Sequence, residues 1–205
     1  MDSNEKKQKL QEIEAIIAKC QKCPLSKTRS KFVPGEGNPN AEIMFIGEAP
    51  GAKEDKEGRP FCGSAGKFLD QLLDSIKLSR SDVFIANTLK CRPPDNRDPL
   101  PEEKSACREY LEEQIAVINP KIVVTLGRHS TETYLPGLGG ISKLRAKLYR
   151  QPQSGIYFFP LYHPAAALHN GSLRQTLLED FAKLPAAIEE VKSKAGKSEV
   201  KQRNI

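Results

Sequence analysis

The stretch EIMFIGEAPGAKEDKEGRPF, residues 42–61, decides the fold of this 205-residue chain. Its apolar run, residues 43–46, predicts a buried strand that ends at Gly47. A charged loop punctuated by proline and glycine follows, and a helix begins near Ser64. A strand that runs into a polar loop and then a helix is how an open α/β sheet presents a ligand site. The pattern alone leaves the ligand open.

Three further apolar runs resemble the first and alternate with helical patterns along the chain. The runs cover residues 83–86, 122–126 and 156–161, and helices are predicted at 5–19, 64–76, from Pro101, at 128–134 and towards the C-terminus, with a break at Pro185. Strands that alternate with helices predict the α/β class, as a three-layer α/β/α fold with a central four-stranded, mostly parallel sheet. We expect one domain at residues 1–192 and a basic, disordered tail at 193–205.

Composition excludes some classes of protein and leaves others open. No run approaches 18 apolar residues, so we expect no membrane span, and the polar N-terminus does not resemble a signal peptide. We therefore expect a cytoplasmic protein. The net charge of +6 permits a polyanionic partner without requiring one. Five cysteines, an odd number, argue against a disulfide framework and towards metal binding or catalysis.

Polar side chains follow three of the predicted strands at their carboxyl ends. Glu48, Asn87 and His163 come after the first, second and fourth strands. Because the carboxyl ends of parallel strands meet at one edge of the sheet, these side chains can converge on a common site. Each of them alone is more often a strand cap than a functional group. Their arrival at the same edge favours a site.

Four of the cysteines have the pattern of metal ligands. Cys20 and Cys23 form a C-x-x-C knuckle, which Cys91 and Cys107 could complete. Four thiolates suit tetrahedral zinc or a 4Fe–4S cluster, and the spacing leaves the metal open. Cys62 is predicted to pack rather than to act as a nucleophile.

Other candidate features have a weaker basis in the sequence. His129 and His169 have no partner nearby and are interpreted as surface or capping residues. Gly51 and Gly58 suggest a phosphate loop, but neither dinucleotide-binding nor P-loop spacing is present.

Taken together, these motifs closely resemble the family 4 uracil-DNA glycosylases, the iron–sulfur type found in bacteria and archaea. The resemblance spans about residues 8–185. Its segments are CQKCPL at 20–25, GEAPG at 47–51, GRPFCG at 58–63, NTLKCRPP at 87–94, NR at 96–97, PEE at 101–103, Cys107, LGR at 126–128 and HP at 163–164.

The resemblance implies a monofunctional glycosylase that hydrolyses the bond between uracil and deoxyribose in DNA and leaves an abasic site. It implies a structural 4Fe–4S cluster on Cys20, Cys23, Cys91 and Cys107. Because the target base is inaccessible in the helix, the nucleotide must be flipped into a pocket. The pocket residues implied are the turn of Glu48, Ala49 and Pro50 on one edge of the base, Glu54 against C5, Phe61 stacking on the ring, Asn87 on O4 and N3, and His163 towards O2.

One position departs from the related enzymes of the Gly-Gln-Asp-Pro type. Those enzymes carry an aspartate where this chain has Ala49, so Glu48 is the nearest candidate for positioning water or the sugar. Glu48 and His163 are therefore the predicted catalytic residues. Predicted DNA contacts are Lys90, Arg92, Arg145 and Arg174, which would meet phosphates, and Leu168, which would act as a wedge.

Two other functions remain as alternatives. One is a non-catalytic iron–sulfur DNA-binding module of the same fold, and the other is a small zinc-dependent nucleotide hydrolase. The expected partner is DNA containing uracil, single- or double-stranded, and no membrane. Single-site chemistry suggests a monomer, and recruitment by a sliding clamp stays open.

Overall fold

The computed structural model describes residues 1–151 and 154–202, which form a sheet flanked by helices. The strands are β1 (Glu36–Gly37), β2 (Ile43–Gly47), β3 (Phe84–Asn87), β4 (Ile122–Leu126), β5 (Tyr149–Arg150) and β6 (Tyr157–Leu161). The helices are α1 (Ser3–Ala18), α2 (Ala52–Glu57), α3 (Ser64–Ser75), α4 (Pro101–Ile118), α5 (Arg128–Tyr134), α6 (Ile141–Leu144), α7 (Ala166–His169), α8 (Gly171–Phe181) and α9 (Leu184–Gln202). Short 3-10 turns occupy Pro24–Lys27 and Pro94–Asn96.

The sheet has the order β1-β3-β2-β4-β6-β5. Its four central strands are parallel, and the two-residue strands β1 and β5 pair antiparallel at the edges. The prediction of an α/β fold with a mostly parallel four-stranded centre is confirmed, and the short edge strands were not predicted. In the register, Gly47 lies opposite Asn87, so Glu48, which follows β2, and Asn87, which ends β3, lie on neighbouring strands at the same edge of the sheet.

Alternate residues of each strand face opposite helical layers. In β2, Phe45 packs with the apolar sides of α3, α8 and α9, whereas Met44 and Ile46 pack with α4 on the other face. Burial of both faces explains why the central strands are continuous apolar runs. A third cluster joins α1 to α4, and Cys91 and Cys107 belong to it.

The charged stretch after β2 is partly helical, so the prediction of a loop there is wrong. Residues 52–57 form α2, which begins after Gly51 and ends at Gly58, where the backbone is left-handed with φ of 76°. Acidic Glu54 and Asp55 in the first turn and Lys56 in the last turn match the helix dipole. The carboxylate of Asp55 is buried and accepts from the backbone N–H of Ser30 at 3.1 Å.

The C-terminal helices break where Pro185 predicted a break. Helix α8 ends at Phe181 and α9 begins at Leu184, with Pro185 in its first turn, where proline is tolerated. Because α9 continues to Gln202, it enters the segment assigned to the tail, residues 193–205. The division of the chain at residue 192 stays a prediction. Among the described residues, no helix is long and apolar enough to span a membrane.

Candidate active site and cysteine cluster

A cavity of about 370 Å³ opens at the carboxyl edge of the sheet. It combines residues that follow β2, β3 and β6 with residues of the segment around α2 and α3. The lining residues are Ala49, Gly51, Glu54, Phe61, Ala65, Asn87, Asn96, His163 and Ala165. The structure therefore brings together five of the predicted pocket residues: Ala49, Glu54, Phe61, Asn87 and His163.

Asn87 presents an unpaired polar group to this cavity. The residue is 2% exposed, and its side-chain oxygen Oδ1 is buried with no hydrogen-bond partner among the described residues. A Cβ atom at Gly47 would lie 2.3 Å from this oxygen, so glycine leaves the space that the amide occupies. Buried polar groups are normally paired, and the exceptions call for an explanation. A ligand that fills the cavity would provide the missing partner.

His163 is held as a neutral imidazole in a defined tautomer. Its Nδ1 accepts a hydrogen bond from the backbone N–H of Ala165 at 3.1 Å. Burial lowers the pKa of His163 to about 4, although the carboxylate of Glu54 acts in the opposite direction. Because Nδ1 is an acceptor and the ring is neutral above that pH, the proton is on Nε2. His163 can therefore donate one hydrogen bond from Nε2.

Phe61 and Glu54 complete the walls of the cavity. The ring of Phe61 stacks on that of His163, with centroids 5.4 Å apart and planes 26° from parallel. Glu54 accepts from the backbone N–H of Gly63 at 2.8 Å through Oε1. This bond ties the first turn of α2 to the start of α3. Glu54 therefore lines the cavity as a fixed side chain.

Glu48 follows β2 as predicted, but its carboxylate lies beside a different group of residues. Oε2 of Glu48 is 3.7 Å from Nε2 of His129, and the same nitrogen is 3.3 Å from Oδ1 of Asp98. Burial raises the pKa of Glu48; the charge of His129 opposes this and that of Asp98 adds to it. Glu48 is not among the side chains that line the cavity beside Asn87 and His163.

The interpretation of His129 as a surface residue is wrong. It is 9% exposed, and both ring nitrogens are buried without a hydrogen-bond partner among the described residues. His129 is the second residue of α5, which follows the carboxyl end of β4 after Gly127. The sequence pattern alone indicates no function for this position. The ligand atoms of Glu48, Asp98 and His129 lie within 4.8 Å of one another, as in a metal site. Arg128 pairs with Asp98 and disfavours a cation there. The side chain of His169 is not among those that the structure describes, so its interpretation as a surface or capping residue stays a prediction.

The four predicted ligand cysteines line one small cavity between α1, α4 and the segment after β3. The guanidinium of Arg29 donates to Sγ of Cys91 at 3.3 Å, and the backbone N–H of Lys90 donates to Sγ of Cys107 at 3.3 Å. Among described residues, no three of the four sulfurs lie mutually within 4.8 Å. A single tetrahedral zinc ion needs sulfurs roughly 3.8 Å apart, given Zn–S bonds of about 2.3 Å. Among described residues, the four cysteines are therefore not arranged as a preformed zinc site.

Lys90 is buried, which contradicts the prediction that it contacts DNA phosphates. It is 1% exposed, and its Nζ donates to the backbone oxygen of Asn87 at 3.1 Å and to Oε1 of Gln114 at 2.7 Å. Burial lowers its pKa to about 8, opposed by the charge of Cys107. Gln114 in turn donates to the backbone oxygen of Pro34 at 2.8 Å. Lys90 is thus a structural residue that braces the end of β3.

The other predicted DNA contacts lie nearer to the surface. Arg174 is exposed and lies over the ring of Phe68, and Leu168 is 44% exposed. Arg92 is half-buried and donates to the side chain of Asn96 at 2.8 Å. Arg145 is half-buried and forms an ion pair of 2.5 Å with buried Asp180, so it has a structural role already.

Two minor features of the site complete the comparison with the sequence. Burial, followed by the charge of Glu54, raises the pKa of Cys62, which fits packing and not an activated thiol. Asn96 lines the same cavity as Asn87 and His163. It belonged to a recognised motif, yet nothing in its spacing showed that it would reach the site.

Comparison with known proteins gives consistent results. Residues 34–186 match the model of the uracil DNA glycosylase superfamily. A type-4 uracil-DNA glycosylase of Sulfurisphaera tokodaii is 53% identical over 182 residues, which cover 85% of this chain and 83% of that protein. The type-4 uracil-DNA glycosylase of Archaeoglobus fulgidus is 45% identical, covering 85% of this chain and 91% of its own. The type-4 uracil-DNA glycosylase of Thermotoga maritima is 43% identical, and the match covers 84% of this chain and 91% of that protein.

Proposed function

Because this chain belongs to the type-4 uracil-DNA glycosylases of the uracil-DNA glycosylase superfamily, we propose that it releases uracil from DNA and leaves an abasic site, as the first step of base excision repair. The observation that carries this proposal is the unpaired amide oxygen of Asn87, buried in a cavity beside neutral His163. The base enters that cavity after the nucleotide has been flipped out of the helix.

Asn87 recognises the edge of the base that distinguishes uracil from cytosine. Its Oδ1 accepts from N3–H of uracil, while its amide nitrogen donates to O4. Cytosine has an unprotonated N3 and an amino group at C4, so it presents the opposite pattern to both atoms. A site built to pair such groups discriminates strongly, because the wrong base leaves buried polar atoms unpaired.

His163 stabilises the leaving group. Cleavage of the N-glycosidic bond transfers its electron pair to N1 of uracil, and the charge spreads onto O2. The Nε2–H of His163, oriented by the bond from Ala165 to Nδ1, donates to that oxygen. A donor that is already in place stabilises the anion without reorganisation, which is the principle of an oxyanion hole. Water then adds to C1′ of the sugar, and the proton that it loses is balanced by protonation of the uracil anion, which leaves as neutral uracil.

The remaining contacts exclude other bases and hold the ring. Phe61 provides the stacking face, and the fixed carboxylate of Glu54 lies against C5, where thymine carries a methyl group. Backbone amides of the turn at residues 48–50 donate to O2, the oxygen of the base that Asn87 does not contact. Pro50 has no N–H, so the amides available in that turn belong to Glu48 and Ala49.

Glu48 is the remaining candidate for positioning the attacking water. Ala49 offers no carboxylate where related enzymes carry aspartate, and the carboxylate of Glu48 lies towards His129. To position water, it would have to turn from that histidine towards the sugar. Stabilisation of the departing uracil by His163 is therefore the catalytic contribution that this geometry supports.

The cysteine cavity holds a 4Fe–4S cluster in this proposal. Cys20, Cys23, Cys91 and Cys107 would be its ligands, since all four line the same cavity. The cluster would supply a structural cross-link between α1, the segment after β3 and α4. Since Cys91 lies four residues after Asn87 in the chain, that cross-link also supports the base cavity.

The partner proposed is uracil-containing DNA, single- or double-stranded, bound by a monomer. Arg92, Arg174 and Leu168 are the predicted contacts that remain accessible. Arg145 is paired with Asp180, and Lys90 is buried. A cytoplasmic location and recruitment by a sliding clamp stay predictions. A non-catalytic DNA-binding module is disfavoured, because such a module would have no need for an oriented, neutral His163.

The test is incubation with a uracil-containing oligonucleotide followed by alkali, which breaks the strand at abasic sites. We expect a break at the uracil and none in the same sequence carrying thymine. Absence of a break with both single- and double-stranded uracil substrates would overturn the glycosylase. Binding without cleavage would instead favour the non-catalytic module.

A further inference from the structure

We propose that Arg80 is a positioning residue that holds Phe61 in its base-stacking orientation. This inference rests on the proposed function, since it assumes that Phe61 stacks on the flipped base. Arg80 lies outside the cavity, in the polar connection between α3 and β3. It would act on the reaction through the backbone of Phe61.

Phe61 has a backbone conformation that needs external support. Its φ is 50°, in the left-handed region that side chains other than glycine rarely adopt. The ring is 5% exposed, and a Cβ at Gly47 would lie 2.7 Å from its Cζ atom. Rotation of the backbone to an ordinary φ would move the ring away from His163. The stacking face of the cavity therefore depends on whatever fixes this peptide.

Arg80 provides that support through two hydrogen bonds to consecutive carbonyl groups. Its Nη2 donates to the backbone oxygen of Phe61, and its Nη1 donates to that of Pro60 at 3.1 Å. A planar guanidinium can address two neighbouring acceptors with its fixed fork of N–H groups, which the single ammonium group of lysine cannot reproduce. Arg80 thus fixes both peptides that define the direction of the Phe61 side chain.

Arg80 is itself braced from two sides. Its Nε donates to Oδ1 of Asp70 in α3 at 2.7 Å, and its Nη1 contacts Oε1 of Glu36 in β1 at 2.5 Å. The guanidinium is half-buried, with 23% of its side chain exposed. These two carboxylates also balance its charge. Arg80 therefore joins the edge strand, helix α3 and the cavity wall.

Gly66 packs against the backbone carbonyl of Phe61 on the side away from Arg80. A Cβ at this position would lie 1.7 Å from the backbone oxygen of Phe61, so only glycine allows the first turn of α3 to approach so closely. The carbonyl of Phe61 is held between this turn and the guanidinium. Removal of Arg80 opens one of the two sides and leaves the left-handed conformation without its hydrogen bonds.

The absence of tryptophan from the chain permits a direct test. In a Phe61→Trp background the single indole reports the order of this side chain. We expect Arg80→Gln to lower the fluorescence anisotropy of that indole. We also expect it to raise the concentration of free uracil needed for half-maximal quenching about tenfold or more. In the chain that keeps Phe61, Arg80→Gln should lower kcat/KM on uracil-containing DNA by about 10- to 100-fold, the scale of a misplaced contact.

Arg59→Gln is the matched control. Arg59 also pairs with Glu36, at 2.8 Å, but it is largely exposed and makes no hydrogen bond to the carbonyls of Pro60 or Phe61. We expect this variant to leave the anisotropy and kcat/KM within twofold of the parent. Equal effects of the two variants would overturn the proposal, because they would show a general loss of charge and not the loss of a positioning contact.

Two further variants keep the test conclusive if Arg80→Gln does not fold. Arg80→Lys retains the charge but should lower the anisotropy in the same direction, and Asp70→Asn, which removes one brace, should do so less strongly. Unchanged anisotropy in both would overturn the proposal. Cleavage by the unaltered protein tests the glycosylase separately, and the indole reports on the order of residue 61 even if no cleavage occurs.

Discussion

The base cavity and the cysteine cavity are both buried, yet they satisfy their polar atoms in opposite ways. In the base cavity, Oδ1 of Asn87 has no partner among described residues, and His163 has one nitrogen paired and one free. In the cysteine cavity, Cys91 and Cys107 receive hydrogen bonds from neighbouring cationic and backbone groups. The first arrangement suits a ligand that comes and goes, and the second suits a group that stays.

The pKa shifts follow the same division. Burial lowers the pKa of His163 to about 4 and raises that of Cys107 to about 11, so both groups are neutral in these cavities near neutral pH. For His163, the neutral form is the one that donates to uracil. Cysteine binds metal as thiolate, so its deprotonation must be coupled to the arrival of iron. One short segment, from Asn87 to Cys91, connects the two regions.

Asn87→Ala, a change in the base cavity, is expected to have the largest effect, which is on the rate of uracil release. Loss of the amide removes the only predicted side-chain reader of O4 and N3, and we expect uracil release to slow by about 10²–10³-fold, the loss typical for one preorganised donor. The measurement is alkali-detected cleavage of a uracil oligonucleotide at saturating enzyme. Asn96→Ala is the matched control, because Asn96 lines the same cavity but already pairs with Arg92. It should cost less than about tenfold, and a similar loss in both variants would contradict the role of the unpaired oxygen.

Cysteine replacement tests the other region. Cys107→Ser should reduce the iron and sulfide content of the protein, and a loss of about 3 kcal/mol, comparable to removal of a native disulfide, would lower Tm by roughly 6–12 °C. The measurement combines metal analysis with thermal unfolding. Cys62→Ser should change neither quantity, since Cys62 lies outside the cysteine cavity. Full iron content in the Cys107 variant, or zinc in the unaltered protein, would contradict the assignment of a 4Fe–4S cluster to these cysteines.

The pH dependence distinguishes a neutral His163 from an ordinary histidine. Its pKa in the folded protein is lowered to about 4 from 6.5, so the ring remains neutral as pH falls through 6.5 and becomes protonated only near 4. We expect the NMR signals of one of the three histidines to remain constant above about pH 5, and His163→Ala to remove those signals. Titration of all three rings near pH 6–7 would contradict the lowered pKa of His163.

The smallest effect is expected at C5 of the base. Glu54→Gly should raise release of thymine by about 10- to 200-fold over the background of the unaltered protein, the range that one methyl group is worth in a pocket. The assay is cleavage of a thymine-containing oligonucleotide. Glu54→Gln retains the bulk and the acceptor for Gly63, so it should still reject thymine. Equal rejection by the glycine variant would show that Glu54 supports α3 without guarding C5.

The sequence predicted the central architecture because strong local patterns specify it. Four apolar runs became the parallel strands, and the residues after them met at one edge. The strands β1 and β5 are two residues long, too short to leave a periodic pattern. Helix α2 was missed because its six residues are almost all charged, and its capping by Gly51 and Gly58 resembles a loop.

The errors within the site share one cause, which is burial of polar residues by distant parts of the chain. Lys90 resembled a surface cation, but its partner Gln114 lies 24 positions away on α4. His129 seemed isolated because Asp98 and Glu48 reach it from other loops. Arg80 gave no signal, since its contacts are with backbone carbonyls. Such pairs depend on tertiary packing that local patterns do not encode.

The most direct measurement of the central claim is a crystal structure of the protein with uracil bound. The account predicts uracil in the base cavity, stacked on Phe61, with the amide of Asn87 paired to O4 and N3 and Nε2 of His163 within hydrogen-bond distance of O2. A base bound elsewhere, or bound there with the amide oxygen of Asn87 still unpaired, would contradict it.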